Sequence, residues 1–260
     1  MGSVTIWDND PKKDLKGFLV PGEKKPESVA ATKFEAASAL VPETEAIRRE
    51  IDSFLNTTGK DGKKIGDSKW GVYVFYDYYG EPIYVGQTQE RLRVRVRRHL
   101  TNQRTDAVAM SVLDPVEVAE IEVWPFAFEP DAGRESITQT INRAEYAVYK
   151  RVLDSSKLKA VLNEKDIFPS EVVPLPDSYR ARIVPEPFYT SRKHPDIRIA
   201  QRASKIADLA KIIIERKVSK GLRRVLHLQA IRLESLAKER LNEVVETPPE
   251  EGEEGNENES

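Results

Sequence analysis

Two tripeptides carry the first chemical hint: Gly71-Val72-Tyr73 and Tyr84-Val85-Gly86, with their tyrosines eleven residues apart. Arg95 and His99 follow at i, i+4, the spacing that puts two side chains on one face of a helix. Glu145 lies four residues after Ile141 and three before Val148, so in a helix it borders the apolar face; Asn163 comes later. These residue types suit chemistry on a phosphodiester. Such a bond is hydrolysed by an activated water, with charge stabilised on the phosphate oxygens and on the leaving oxygen. One carboxylate, Glu145, can hold a single hard divalent ion. Arg95 can donate to a phosphate as a fork. Taken singly, each residue has an ordinary explanation. Tyrosines on strands usually pack, a helical glutamate usually faces solvent, and the six arginines between 91 and 104 form a charge run of the solvated kind. What distinguishes the set is its order and spacing.

Composition narrows the metal. The 260 residues include no cysteine and only three histidines, at 99, 194 and 227. Disulfides and cysteine-ligated zinc are excluded, and ligation by oxygen favours magnesium, manganese or calcium. No cluster of acids accompanies Glu145, which points to a single ion. The chain is 39% hydrophobic and 32% charged. No apolar run approaches the roughly 18 to 20 residues of a membrane helix. The polar start, Met1 to Pro11, has no signal-peptide h-region, so a cytoplasmic protein is expected. Net charge is −2, but residues 243–260 hold eight acids and no base, which leaves the remainder at +6. A basic body with an acidic tail suits a nucleic-acid binder and equally an enzyme with a solubilising tail.

The pattern divides the chain into stretches that must position these groups. Residues 1–42 read as a loosely ordered arm rich in Lys, Pro and Gly. Residues 43–68 hold a short amphipathic helix, with Ile47, Ile51, Phe54 and Leu55 at helical spacing, then a polar loop. Residues 69–165 form the compositional core. Trp70 to Tyr76 reads as a strand, Tyr79-Gly80-Glu81-Pro82 as a turn, Ile83 to Val85 as a second strand and Val116 to Trp124 as a third. Ser136-Ile-Thr-Gln139 has the form of a capping box opening a helix through Ile141, Ala144, Val148 and Val152. Leu92 to Arg97 alternates like a strand, yet Leu92, Val96 and Leu100 also share a helical face; periodicity leaves a near tie. Residues 166–196 hold six prolines and read as an extended connector. Residues 197–242 read as two helices with a break near Gly221, and 243–260 as a disordered acidic tail.

The ordered set resembles the GIY-YIG nuclease superfamily over about 95 of the 260 residues. Its two signature tripeptides fall on Gly71-Val72-Tyr73 and Tyr84-Val85-Gly86, each with Ile replaced by Val. The family's helix arginine falls on Arg95, its histidine on His99, its metal-binding glutamate on Glu145 and its late asparagine on Asn163. The resemblance implies an α/β (α+β) fold with a small three-stranded antiparallel sheet flanked by helices, here with a C-terminal helical extension. It also resolves 92–97 as helix. It implies Tyr73 as general base, Tyr84 and His99 as positioning groups, Glu145 as the ligand of a single Mg²⁺ or Mn²⁺, and Asn163 as a side chain that orients Glu145 or the backbone. Arg91, Arg93, Arg97, Arg98 and Arg104 would then contact DNA phosphates. Arg216, Lys217, Lys220, Arg223 and Arg224 offer a second basic cluster, and the C-terminal helices equally suit core packing or a homodimer. The expected function is a metal-dependent DNA endonuclease of restriction or defence type. A structure-selective repair or recombination nuclease and an inactive nucleic-acid-binding fold are the alternatives.

Overall fold

The computed structural model describes residues 41–101 and 113–246. The arm through residue 40, Arg104 and the acidic tail beyond 246 lie outside the described residues. Helix α1 (Pro42–Leu55) leads through a 3-10 turn (Ile65–Asp67) into strands β1 (Trp70–Tyr76) and β2 (Pro82–Thr88). Helix α2 (Leu92–Leu100), a 3-10 turn (Pro115–Glu117), β3 (Glu120–Phe126) and α3 (Arg134–Ser155) follow. Strand β4 (Tyr179–Arg182) and helices α4 (Phe188–Lys193), α5 (Pro195–Glu215) and α6 (Lys220–Glu246) complete the order.

The sheet is antiparallel throughout, in the order β2-β1-β3-β4. It has four strands where three are expected from sequence. The fourth comes from the Pro-rich connector, where Tyr179 to Arg182 finds the free edge of β3 between prolines that cannot themselves continue a ladder. The third strand begins at Glu120, not Val116. Pro115 opens a 3-10 turn there, and the Asp114 carboxylate accepts the Val116 N–H at 3.0 Å. Helix α3 starts at Arg134 after Gly133, so Ser136 lies inside its first turn and no side chain caps it. The near tie at 92–97 resolves as helix: Leu92, Val96 and Leu100 are all buried on one face of α2.

β1 is the central strand, flanked by β2 and β3, and its side chains alternate between two apolar layers. Val72, Val74 and Tyr76 pack with Val85, Trp124 and the α3 residues Ala144, Val148 and Val152. Tyr73 and Phe75 point the other way, into a cluster that takes in Ile51, Phe54 and Leu55 of α1 and Leu92 and Val96 of α2. That second cluster also contains Leu209 of α5 and Leu222 and Val225 of α6.

Buried charges join the C-terminal helices to the sheet. Asp77, at the β1–β2 turn, uses Oδ2 to accept from Arg202 at 2.9 Å and from Arg232 at 2.6 Å. Its Oδ1 accepts the N–H groups of Tyr79 and Glu81, both at 2.9 Å. Glu117 accepts from Arg198 at 2.9 Å and Arg202 at 3.0 Å. All five side chains are buried. A charge taken this far from water persists only when paired and hydrogen-bonded; here each carboxylate answers two guanidinium groups.

Candidate active site

Glycine at both ends of the paired tripeptides is a matter of contact. Gly71 faces Leu92 at the start of α2, and a Cβ there would stand 2.9 Å from two Leu92 carbons. Gly86 pairs with Tyr73 across β1 and β2, and a Cβ on it would stand 2.5 Å from the Tyr73 hydroxyl oxygen. The Tyr73 phenol therefore lies across the bare backbone of Gly86, towards the edge of the sheet that β2 forms. Any side chain at 86 would block that path.

At this edge the hydroxyl of Tyr73 meets α2. Arg95 Nε donates to it at 3.1 Å, and it lies 2.9 Å from His99 Nε2. Because the guanidinium can only donate, the neutral phenol accepts from Arg95 and has its own proton to give to His99. Tyr84 adds a third ring, 5.5 Å from His99 and 6.2 Å from Tyr73 between centroids. Tyr73 is wholly buried. That burial, with Tyr84 nearby, raises its pKa well above the ordinary phenol value, although Arg95 opposes the rise. The phenol is therefore held protonated.

Glu145 reaches the same edge from the opposite face of the sheet, on α3. Val85 points into the α3 layer, so Gln87, two residues on, points the same way. Gln87 Nε2 donates to Glu145 Oε2 at 3.1 Å and to Asn142 Oδ1 at 2.6 Å. Burial raises the Glu145 carboxyl to about 7, with Gln87 and Arg95 pulling against the rise. This carboxylate borders a cleft without a full counter-charge, a setting that a divalent cation would relieve. Gln87 turns its Nε2 to Glu145, and its Oε1 is buried without a hydrogen-bond partner. Among the described residues no three His, Asp or Glu side chains come together. A cation at this place would have Glu145 as its carboxylate ligand and would draw its remaining ligands from water, amide or substrate oxygen.

Of the two expected roles for Asn163, the structure shows the second: it orients backbone, not Glu145. Its Oδ1 accepts the Val85 N–H at 3.1 Å and its Nδ2 donates to the Val85 carbonyl at 2.7 Å. With Leu162 N–H donating to Ile83 O at 2.6 Å, it continues the ladder on the outer edge of β2. It clamps the backbone between Tyr84 and Gly86.

Tyr84, Gly86, Gln87, Arg95, His99, Glu145 and Asn163 line one open cleft of about 500 Å³. Tyr73 lies just beneath this lining, bonded to Arg95 and His99. All six residues expected from the sequence thus converge on one place. Gln87 and Asn142 were missed; the available signals were a polar residue two places after inward-facing Val85 and an amide one helical turn before Glu145.

The arginines expected on a DNA surface are mostly engaged within the chain. Arg93 donates to Asp67 at 3.2 Å and to Asn56 at 3.0 Å. Arg97 donates twice to Asp52, at 2.8 and 2.6 Å. Arg98 and Glu90 form a fork, with both contacts at 2.7 Å. Arg91 is exposed. In the second cluster, Arg216, Lys217, Lys220 and Arg223 are exposed, whereas Arg224 is bonded to Asp166 and to the carbonyls of Asn163 and Glu164. No helix among the described residues is long and apolar enough to cross a membrane. No family model, no curated protein and no solved structure matches this chain.

Proposed function

We propose that this chain is a metal-dependent DNA endonuclease of the GIY-YIG type, using one Mg²⁺ or Mn²⁺ ion. The observation that carries the reading is the junction at Gly86. There Arg95 and His99 on one sheet face and Glu145 on the other line a single cleft, with the Tyr73 hydroxyl bonded to the first two just beneath it. The resemblance seen in the sequence assigns these same positions to phosphodiester hydrolysis, and the geometry is compatible with that chemistry.

A divalent ion at Glu145 would supply Lewis-acid polarisation of the scissile phosphate. Arg95 donates to a non-bridging oxygen where charge grows in the transition state. Tyr73 removes a proton from the attacking water while passing its own proton to His99 Nε2. With its pKa raised, Tyr73 carries its proton in the free protein, and the relay starts from that neutral phenol. As the water oxygen bonds to phosphorus, the bond to the leaving oxygen breaks, and that oxygen takes a proton from solvent in the open cleft. Asn163 fixes the strand segment that carries Tyr84 and Gly86.

Nicking of supercoiled plasmid with and without Mg²⁺ tests the reading. Cleavage is expected only with the ion, and Glu145→Gln should lose it while still binding DNA. Tyr73→Phe should cut the rate severely with the fold intact. A mild Tyr73→Phe beside a severe Tyr84→Phe would exchange the two roles. Equal cleavage by wild type and Glu145→Gln would reject the site.

A further inference from the structure

We infer that the cleft takes a nucleotide whose base has left the helical stack, and that Phe168 is the platform on which this base lies. The inference rests on the nuclease reading and deepens it by naming the substrate conformation. Phe168 is 80% exposed, the second most exposed large hydrophobic residue among those described, and it lines the same cleft as Arg95 and Glu145. Its neighbours in the chain are not loose. Ile167 packs into the apolar layer under α3. Upstream, Arg224 holds the carbonyls of Asn163 and Glu164 at 2.9 and 3.0 Å and bonds Asp166, and Ser219 donates to Glu164 at 3.1 Å. A phenyl ring is thus presented to water from an anchored segment.

Two further groups on the same lip suit a nucleotide. Lys165 is exposed and lines the cleft. Ser170 lines it too, with a buried hydroxyl that has no partner. A cation, an aromatic face and an unused hydroxyl match the phosphate, the base face and the base edge of one nucleotide. A stacked base inside a duplex offers its edge but not its face, so the ring can be used only by a base that has swung out or was never paired. The cleft volume, about 500 Å³, lies within the range of sites that enclose small ligands.

The test uses the full chain and three oligonucleotides of one sequence: single strand, perfect duplex, and duplex with an unpaired base. Each carries 2-aminopurine, in turn at successive positions around the mapped cut, and binding is measured in Ca²⁺. Wild type should bind and cut the single strand and the unpaired duplex better than the perfect duplex. At one position, 2-aminopurine emission should rise on binding as that base leaves its neighbours. Phe168→Ala should weaken binding of the unpaired substrate by roughly 5- to 150-fold, the usual range for a lost stacking platform. Phe168→Trp should retain binding and quench the probe, and the melting temperature should not move for either variant. If wild type cuts all three equally and Phe168→Ala behaves like wild type, the inference fails while the nuclease reading stands. If wild type neither binds nor cuts any of them, both fail together.

Discussion

Two clusters of arginine and carboxylate in this molecule behave in opposite ways. In the core, Asp77 and Glu117 face Arg198, Arg202 and Arg232, all buried, and each carboxylate accepts from two guanidinium groups. At the sheet edge, Glu145 is half-buried and takes one side-chain hydrogen bond from Gln87, and burial lifts its carboxyl to about 7. Both clusters place charge beside apolar packing. The first answers its carboxylates with protein groups, leaving only Arg198 Nε and Nη2 without a partner, and becomes structure. The second leaves a carboxylate under-compensated next to an open cleft, and such groups are where ligands and chemistry are found.

The largest effect should come from breaking the open cluster. Glu145→Gln keeps size and hydrogen bonding but removes the charge. Cleavage should fall by on the order of 10³-fold or more, several kcal/mol of lost charge stabilisation. The melting temperature should hold or rise, because the charge removed was costly. Single-turnover rates beside thermal melts give both readings; a variant that melts much lower would make Glu145 a structural residue after all.

Breaking the closed cluster should do the reverse. Asp77→Ala leaves Arg202 and Arg232 buried without their shared carboxylate and frees the N–H groups of Tyr79 and Glu81. A loss of about 3 to 5 kcal/mol in unfolding free energy is expected. Denaturant melts measure it. A loss under 1 kcal/mol would mean that Asp77 adds little to the apolar contacts and the Glu117 pairs that hold α5 and α6.

Sequence made these two clusters legible to very different degrees. The edge cluster was readable because its members sit at short, fixed separations on a hairpin and the helix after it. Tyr73, Tyr84, Arg95 and His99 span only 27 residues. The core cluster was not readable, since Asp77 and Arg232 lie 155 residues apart and a buried arginine on a helix looks like any surface arginine until the partner is known. The same limit hid β4. Four residues among prolines carry little strand signal, and what makes them a strand is the vacant edge of β3. Gln87 fell between the cases: its neighbour Gly86 was read, but its bond to Glu145 depends on how α3 crosses the sheet.

Arg95→Ala comes next in size, because Arg95 serves the open cluster directly. It donates to Tyr73 and lines the cleft. The cleavage rate should fall by roughly 2 to 4 kcal/mol, as for a lost oxyanion donor, with DNA affinity changed far less. Equal losses in rate and affinity would make it a binding residue only.

A smaller effect sharpens the electrostatic contrast. The carboxyl of Glu145 rises from an ordinary 4.5 to about 7 on folding. Its raised value favours the neutral form in the folded chain. That contribution to stability is complete below about 4.5 and is lost as pH climbs to 7. The melting temperature of metal-free wild type, relative to Glu145→Gln, should therefore fall across this window. Mg²⁺ should restore part of the loss at pH 8 in wild type and none of it in the variant. Parallel pH profiles for the two proteins would mean that Glu145 is not under strain.

The smallest effect separates structural arginines from functional ones on a single helix. Arg97 is two residues from Arg95, about 200° around α2, and it bonds Asp52 of α1 while Arg95 bonds Tyr73. The Arg97–Asp52 pair is partly exposed, so Arg97→Ala should cost only about 0.2 to 1 kcal/mol of stability. A double-mutant cycle with Asp52→Ala should recover that value as a coupling energy. Because its guanidinium is already engaged, Arg97→Ala should leave the salt dependence of DNA binding nearly unchanged. An arginine that contacts phosphate would instead lower the slope by about 1 when removed. If the slope falls by that amount while the coupling with Asp52 persists in the free protein, Arg97 exchanges its carboxylate for phosphate on binding. In that case the ion pairs along α2 belong only to the free protein.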